Sequence, residues 1–111
     1  MSIFRLESAP FATIDCRYIE SVDIEVTNSG SDGFEMLVHG YGDRGLFYVQ
    51  LIHLSPGSTV PVYHMMTGYE PFQLVLVTNI NNYACTEVIV RAKDHDYLIA
   101  LYSQEDMIRI L

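Results

Sequence analysis

The chain has 111 residues, half of them hydrophobic, and 6 Lys and Arg against 14 Asp and Glu give it a net charge of −8. That length makes a single domain with enough apolar material for a core that needs neither metal nor disulfide staples. The acidic balance argues against bare nucleic acid, whose phosphates require clustered Lys and Arg, and against an anionic membrane surface; a basic protein or a cation is the natural electrostatic partner.

Two cysteines, Cys16 and Cys85, do not make a disulfide framework and are expected as buried free thiols. The opening Met-Ser-Ile-Phe-Arg-Leu-Glu-Ser holds no apolar run of signal-peptide length, and no stretch reaches transmembrane length, so a cytoplasmic protein is expected.

Alternation sets the elements. Residues 3–6 read as a short strand with Phe4 and Leu6 on one face, broken by Ser8-Ala9-Pro10. Residues 12–19 alternate, with Ile14, Cys16 and Tyr18 opposite Thr13, Asp15 and Arg17, which predicts a half-buried strand. Residues 22–27 alternate more cleanly, Val22, Ile24 and Val26 inward. The cluster Asn28-Ser29-Gly30-Ser31-Asp32-Gly33 reads as a turn, and 34–41 as the returning strand, so the two are expected to form a hairpin. A loop over 40–45 spells Gly-x-Gly-x-x-Gly, but it lies between strands and lacks the helix N-terminus that would bind pyrophosphate.

Residues 46–54 are apolar on both faces. Ser55-Pro56-Gly57-Ser58 fits a type II turn, and Pro61 marks residues 59–65 as an edge or bulged strand. The run Phe72-Gln73-Leu74-Val75-Leu76-Val77 is apolar on both faces and is expected as the central strand, covered on both sides. Residues 79–82 should turn the chain, 86–90 and 97–102 are strands, and 93–96 a polar turn. Ser103-Gln104-Glu105-Asp106 matches a capping box, ahead of a tail that fits either a helical turn or a last strand. The sum is an all-β, mainly antiparallel sandwich or barrel of about eight or nine strands.

Between Tyr18 and Asp43 there is no Lys or Arg, while Glu20, Asp23, Glu25, Asp32, Glu35 and Asp43 all fall on or within that stretch once Asp43 is included. In the simplest hairpin register Glu25 faces Glu35, a like-charge pair that costs a few tenths to about 1 kcal/mol. A basic partner docked on this acidic face would relieve the repulsion, so these six carboxylates are the expected protein-binding residues. No nucleophile motif stands out, and the four histidines show no zinc-type spacing with the cysteines, so no enzyme activity, metal or cofactor is expected.

The stretch from Pro56 to His64, followed by Glu70 and Phe72, resembles the first motif of cupin barrels. It departs from it at Val62, where that family would place a metal-binding His, and the second motif is absent. The resemblance implies a degenerate barrel that has lost its metal. The alternative reading is a small-molecule-binding barrel with an interior pocket lined by Tyr and Met, its expected ligand-binding residues being Tyr63, His64 and Tyr69. A self-associating structural protein, with two-sided apolar strands continuing a sheet across a homodimer, is another. The leading expectation is a non-enzymatic acidic inhibitor of a basic, nucleic-acid-handling protein, by analogy of size and charge with immunity proteins and phage-encoded inhibitors.

Overall fold

The computed structural model describes residues 1–80 and 83–111 and shows two antiparallel sheets. Among the described residues the strands are β1 (Ser2–Glu7), β2 (Ser21–Asn28), β3 (Phe34–Gly42), β4 (Gly45–Leu54), β5 (Thr59–Met66), β6 (Gln73–Thr78), β7 (Thr86–Asp94), β8 (Tyr97–Ser103) and β9 (Ile108–Arg109). One sheet has the order β4-β3-β6-β1-β9 and the other β5-β2-β7-β8. They pack as a sandwich. Inward-facing Phe4, Leu6, Met36, Val38, Leu74 and Leu76 form one buried cluster with Val22, Ile24, Val26, Val62, Val88 and Val90. Among the described residues no helix is long and apolar enough to cross a membrane.

Period-two alternation places these strands because each sheet has one face on the core. β6 is the central strand of its sheet, between β3 and β1, and Phe72, Leu74 and Leu76 point inward as expected. Its other face is not covered. Val75 and Val77 are only half-buried, in rows such as Leu51–Leu37–Val77–Ile3 that run across four strands and open to solvent. The second sheet covers one side of the first, and none of the described residues forms a layer over the other.

β5 is an edge strand, as Pro61 indicated. The 55–58 turn closes with Ser58 N–H donating to the Ser55 carbonyl at 3.0 Å and Gly57 at φ 75°. The Ser103–Asp106 capping box is present on a 3₁₀ turn, Gln104–Asp106, and the tail after it forms β9 on β1. The expected 79–82 turn lies partly outside the described residues.

Three further expectations are corrected. Strands β2 and β3 do not pair; they belong to different sheets. The Asn28 side chain explains this. Its amide donates to the carbonyls of Asp32 (2.8 Å) and Leu54 (3.1 Å), and its oxygen accepts from Gly30 N–H at 2.9 Å. That anchors residues 28–33 as a crossing from one sheet to the other rather than a hairpin turn. Glu25 therefore faces Ile89, and Glu35 faces His53.

Residues 12–19 form no strand but a folded loop with a 3₁₀ turn at Cys16–Tyr18. Asp15 draws the chain back on itself by accepting from the N–H groups of Phe11 (3.2 Å) and Arg17 (3.1 Å). Lastly, the barrel does not close. β4 and β5 share no ladder, and β5 is interrupted by Pro61 and by left-handed backbone at His64, φ 58°.

The one-sided cover of β6 is testable. Leu76→Ala should cost about 2–5 kcal/mol in urea denaturation, and Val77→Ala about 1 kcal/mol or less. Equal losses would mean that the outer face is buried.

Candidate functional site

The six expected carboxylates do not share a face. Asp23 and Glu25 lie on the outer face of the four-stranded sheet and are neutralised there. Asp23, 4% exposed, is ion-paired with Lys93, and Glu25 with Arg91 at 2.8 Å. Asp23 also accepts the His64 backbone N–H at 2.9 Å, which holds the irregular stretch of β5 against β2. Asp32 sits in the 28–33 crossing and Glu35 near the start of β3, at the end of the sandwich away from Glu20 and Asp43. Only Glu20 and Asp43 come to the same end.

That end is built from four loops: residues 8–20, the β3–β4 turn, residues 67–72 and the β7–β8 turn. Backbone bonds lock them together. The N–H groups of Thr67 and Gly68 both donate to the Glu20 carbonyl at 2.9 Å, Tyr69 N–H donates to Ile19, and Glu20 N–H donates to Lys93. The Thr67 hydroxyl, buried, donates to the Ile19 carbonyl at 3.0 Å. A shallow depression joins Asp43 and Arg44 to Thr67 and Glu70.

Side-chain contacts extend the network. The Glu20 carboxylate accepts from His95 N–H at 3.2 Å, His95 Nδ1 lies 2.8 Å from Asp94 Oδ1, and the Tyr69 hydroxyl donates to the same Asp94 oxygen. Ligand atoms of Glu20, Asp94 and His95 all fall within 4.8 Å of one another. This is the nearest approach to a cation site among the described residues, but the Asp94 oxygen is already engaged by Tyr69.

Glu20, Asp43, Glu70, Asp94 and Asp96 thus gather at one end. Among the described residues Arg44 is the one cation of these loops outside an ion pair, since Lys93 is held by Asp23 and Arg17 by Asp15. Exposed aromatic side chains stand among them: Phe11, Tyr18, Tyr69 and Tyr97. Arg17 lies 3.7 Å from the Phe11 ring centroid, fixing that ring in place.

Local charge sets the titration of these groups. The Arg17 guanidinium holds the Asp15 carboxyl down to about 2. The Asp94 carboxylate, accepting the Tyr69 hydroxyl, pushes that phenol up to about 12. For Asp23, burial pushes the carboxyl up, but the His64 N–H and the Lys93 ammonium outweigh it and hold it below its ordinary value. A carboxyl lowered by folding stabilises the native state above the ordinary carboxylate pKa, and that contribution is lost as pH falls through the folded value.

Of the alternative ligand-binding residues, Tyr63 and His64 are exposed on β5, and Tyr69 is bonded to Asp94 at the end of the sandwich. Sequence reasoning missed Glu70, Asp94, Asp96, Tyr18 and Tyr97 as members of one surface. Each lies in a polar loop legible by itself, but loops far apart in sequence meet only in the fold.

The two ion-paired carboxylates of β2 should behave as structural groups. Asp23→Ala, which strands the part-buried His64 N–H and a half-buried ammonium, should cost on the order of 1–3 kcal/mol and more than Glu25→Ala, which should cost about 1 kcal/mol or less. Comparable losses in chemical denaturation would contradict this. In an ultraviolet tyrosinate titration, Asp94→Asn should bring the phenol that ionises near 12 down toward 10, and Tyr69→Phe should remove that component; a late transition surviving both would sink the assignment.

No protein-family model matches this sequence, and neither the curated proteins nor the solved structures give a significant match.

Proposed function

We propose that this chain is a non-enzymatic protein-binding domain that docks its acidic, tyrosine-bearing end onto a basic surface of another protein. The observation that carries the reading is the convergence of Glu20, Asp43, Glu70, Asp94 and Asp96 from four loops on one end, with Arg44 the cation there left outside an ion pair among the described residues. Like charges gathered at one end raise the electrostatic energy of the folded chain, and a cationic partner lowers it. Such a field steers encounter and raises the association rate at low salt. The exposed Tyr18, Tyr69 and Tyr97 add the large, rigid contact area that recognition surfaces use.

A target that handles nucleic acid fits this end best, because its carboxylates would occupy the places of phosphates and so block the site stoichiometrically. This is the manner of an immunity protein or a phage-encoded inhibitor, acting in the cytoplasm, where Cys16 and Cys85 remain the free thiols they are here.

Capture from a cell extract at low and high salt tests the reading. A basic protein should be retained at low salt and released at high salt. Asp43→Lys with Glu70→Lys should weaken that retention by roughly tenfold or more, while Asp32→Lys with Glu35→Lys at the far end should change it little. Retention indifferent to the first pair, or abolished equally by the second, would refute it.

A further inference from the structure

We propose that two copies of this chain associate through β4, antiparallel about a two-fold axis, so that their five-stranded sheets continue into one. The sandwich has four strand edges, and three carry a feature that opposes further pairing. β9 is two residues long and includes Arg109. β5 contains Pro61 and the left-handed backbone at His64. β8 has a register shift opposite Ala92 and Lys93, which leaves only a short regular edge. Edge strands shielded in these ways resist sheet-to-sheet association.

β4 is different. It runs Gly45–Leu54 and, although like β8 it lacks Asp, Glu, Lys, Arg and Pro and has one register shift, it pairs regularly with β3 all the way from Tyr48 to Leu54, where the regular stretch of β8 spans only Ala100 to Ser103. Its other side has no strand partner among the described residues. Val49 and Leu51 are 55% and 60% exposed on its outer face.

Self-complementarity and charge select a second copy as the occupant. Under a two-fold axis, Val49 and Leu51 meet the same strand's apolar side chains on one face, and Tyr48 and Ile52 do so on the other. The seam carries no charge, although each chain carries −8. Antiparallel pairing also sends the two acidic ends in opposite directions, so the strongest like-charge repulsion is kept apart. The regular part of the seam, residues 48–52 of each copy, is about 17 Å long, and it buries less than the roughly 800 Å² per partner of a stable interface. Association is therefore reversible and grows with concentration.

This inference is independent of the acidic end, and the purified chain alone tests it. Sedimentation from roughly 10 μM to 1 mM should show the mass rising from one chain toward two. Leu51→Lys places an ammonium at the seam without removing a buried contact, and should raise the dissociation constant at least tenfold; Leu101→Lys on β8 should leave it unchanged. A wild type that stays monomeric at the highest concentration, a Leu51→Lys dimer as tight as wild type, or loss of the dimer in Leu101→Lys would each overturn the proposal. Should Leu51→Lys fail to fold, hydrogen exchange in the unaltered chain decides. Protection of residues 48–54 that rises with concentration supports the seam, and protection independent of concentration overturns it.

Discussion

The fold depends on satisfying backbone groups wherever the chain crosses between sheets. Among the described residues only β3–β4 and β7–β8 are hairpins; every other pair of successive strands lies in different sheets, so the chain crosses from one sheet to the other between them. A crossing that runs partly buried leaves peptide groups without strand partners, and each unpaired one is costly. Small buried polar side chains supply the missing partners. Asn28 does so between β2 and β3, Thr67 bonds Ile19 across the 67–72 loop, and the Ser8 hydroxyl accepts the Phe72 N–H at 3.0 Å. These residues fix where each loop lies, and hence which charged side chains meet at the ends.

Charge follows from that placement. Four of the six Lys and Arg are held in ion pairs with Asp15, Asp23, Glu25 and Glu7. The four-stranded sheet is therefore close to neutral at its centre, and the excess of carboxylates falls on loops and ends. Asp23 shows why counting charges in a stretch misleads. It is the most buried of the six candidate carboxylates, and its work is to hold Lys93 and the His64 N–H.

Strand faces were legible in the sequence because alternation reports which side chains share a face. Phe72, Leu74 and Leu76, the Pro61 edge and the turn at Gly57 all follow from local chemistry. Pairing partners were not, since alternation says nothing about which strand lies alongside. The Asn28–Gly33 cluster has the composition of a hairpin turn, yet Asn28 directs it across the sandwich. Residues 12–19 alternate like a strand, but Asp15 bonds its own neighbours and folds the segment into a loop. The acidic end was illegible for a further reason: Glu20, Glu70 and Asp94 are brought together by tertiary hydrogen bonds that no local pattern records.

The pairing of β1 with β6 and β9 also bears on synthesis. Ser2 lies beside Thr78, and Phe4 beside Arg109, so β1 has no neighbour in its sheet until the later part of the chain exists. Topologies dominated by such distant pairings fold slowly, on the scale of about milliseconds to seconds. On the ribosome the β3–β4 hairpin comes first and waits, both edges bare, for residues 73–78. The central strand that completes the core thus also ends the period in which the nascent chain is most open to mispairing.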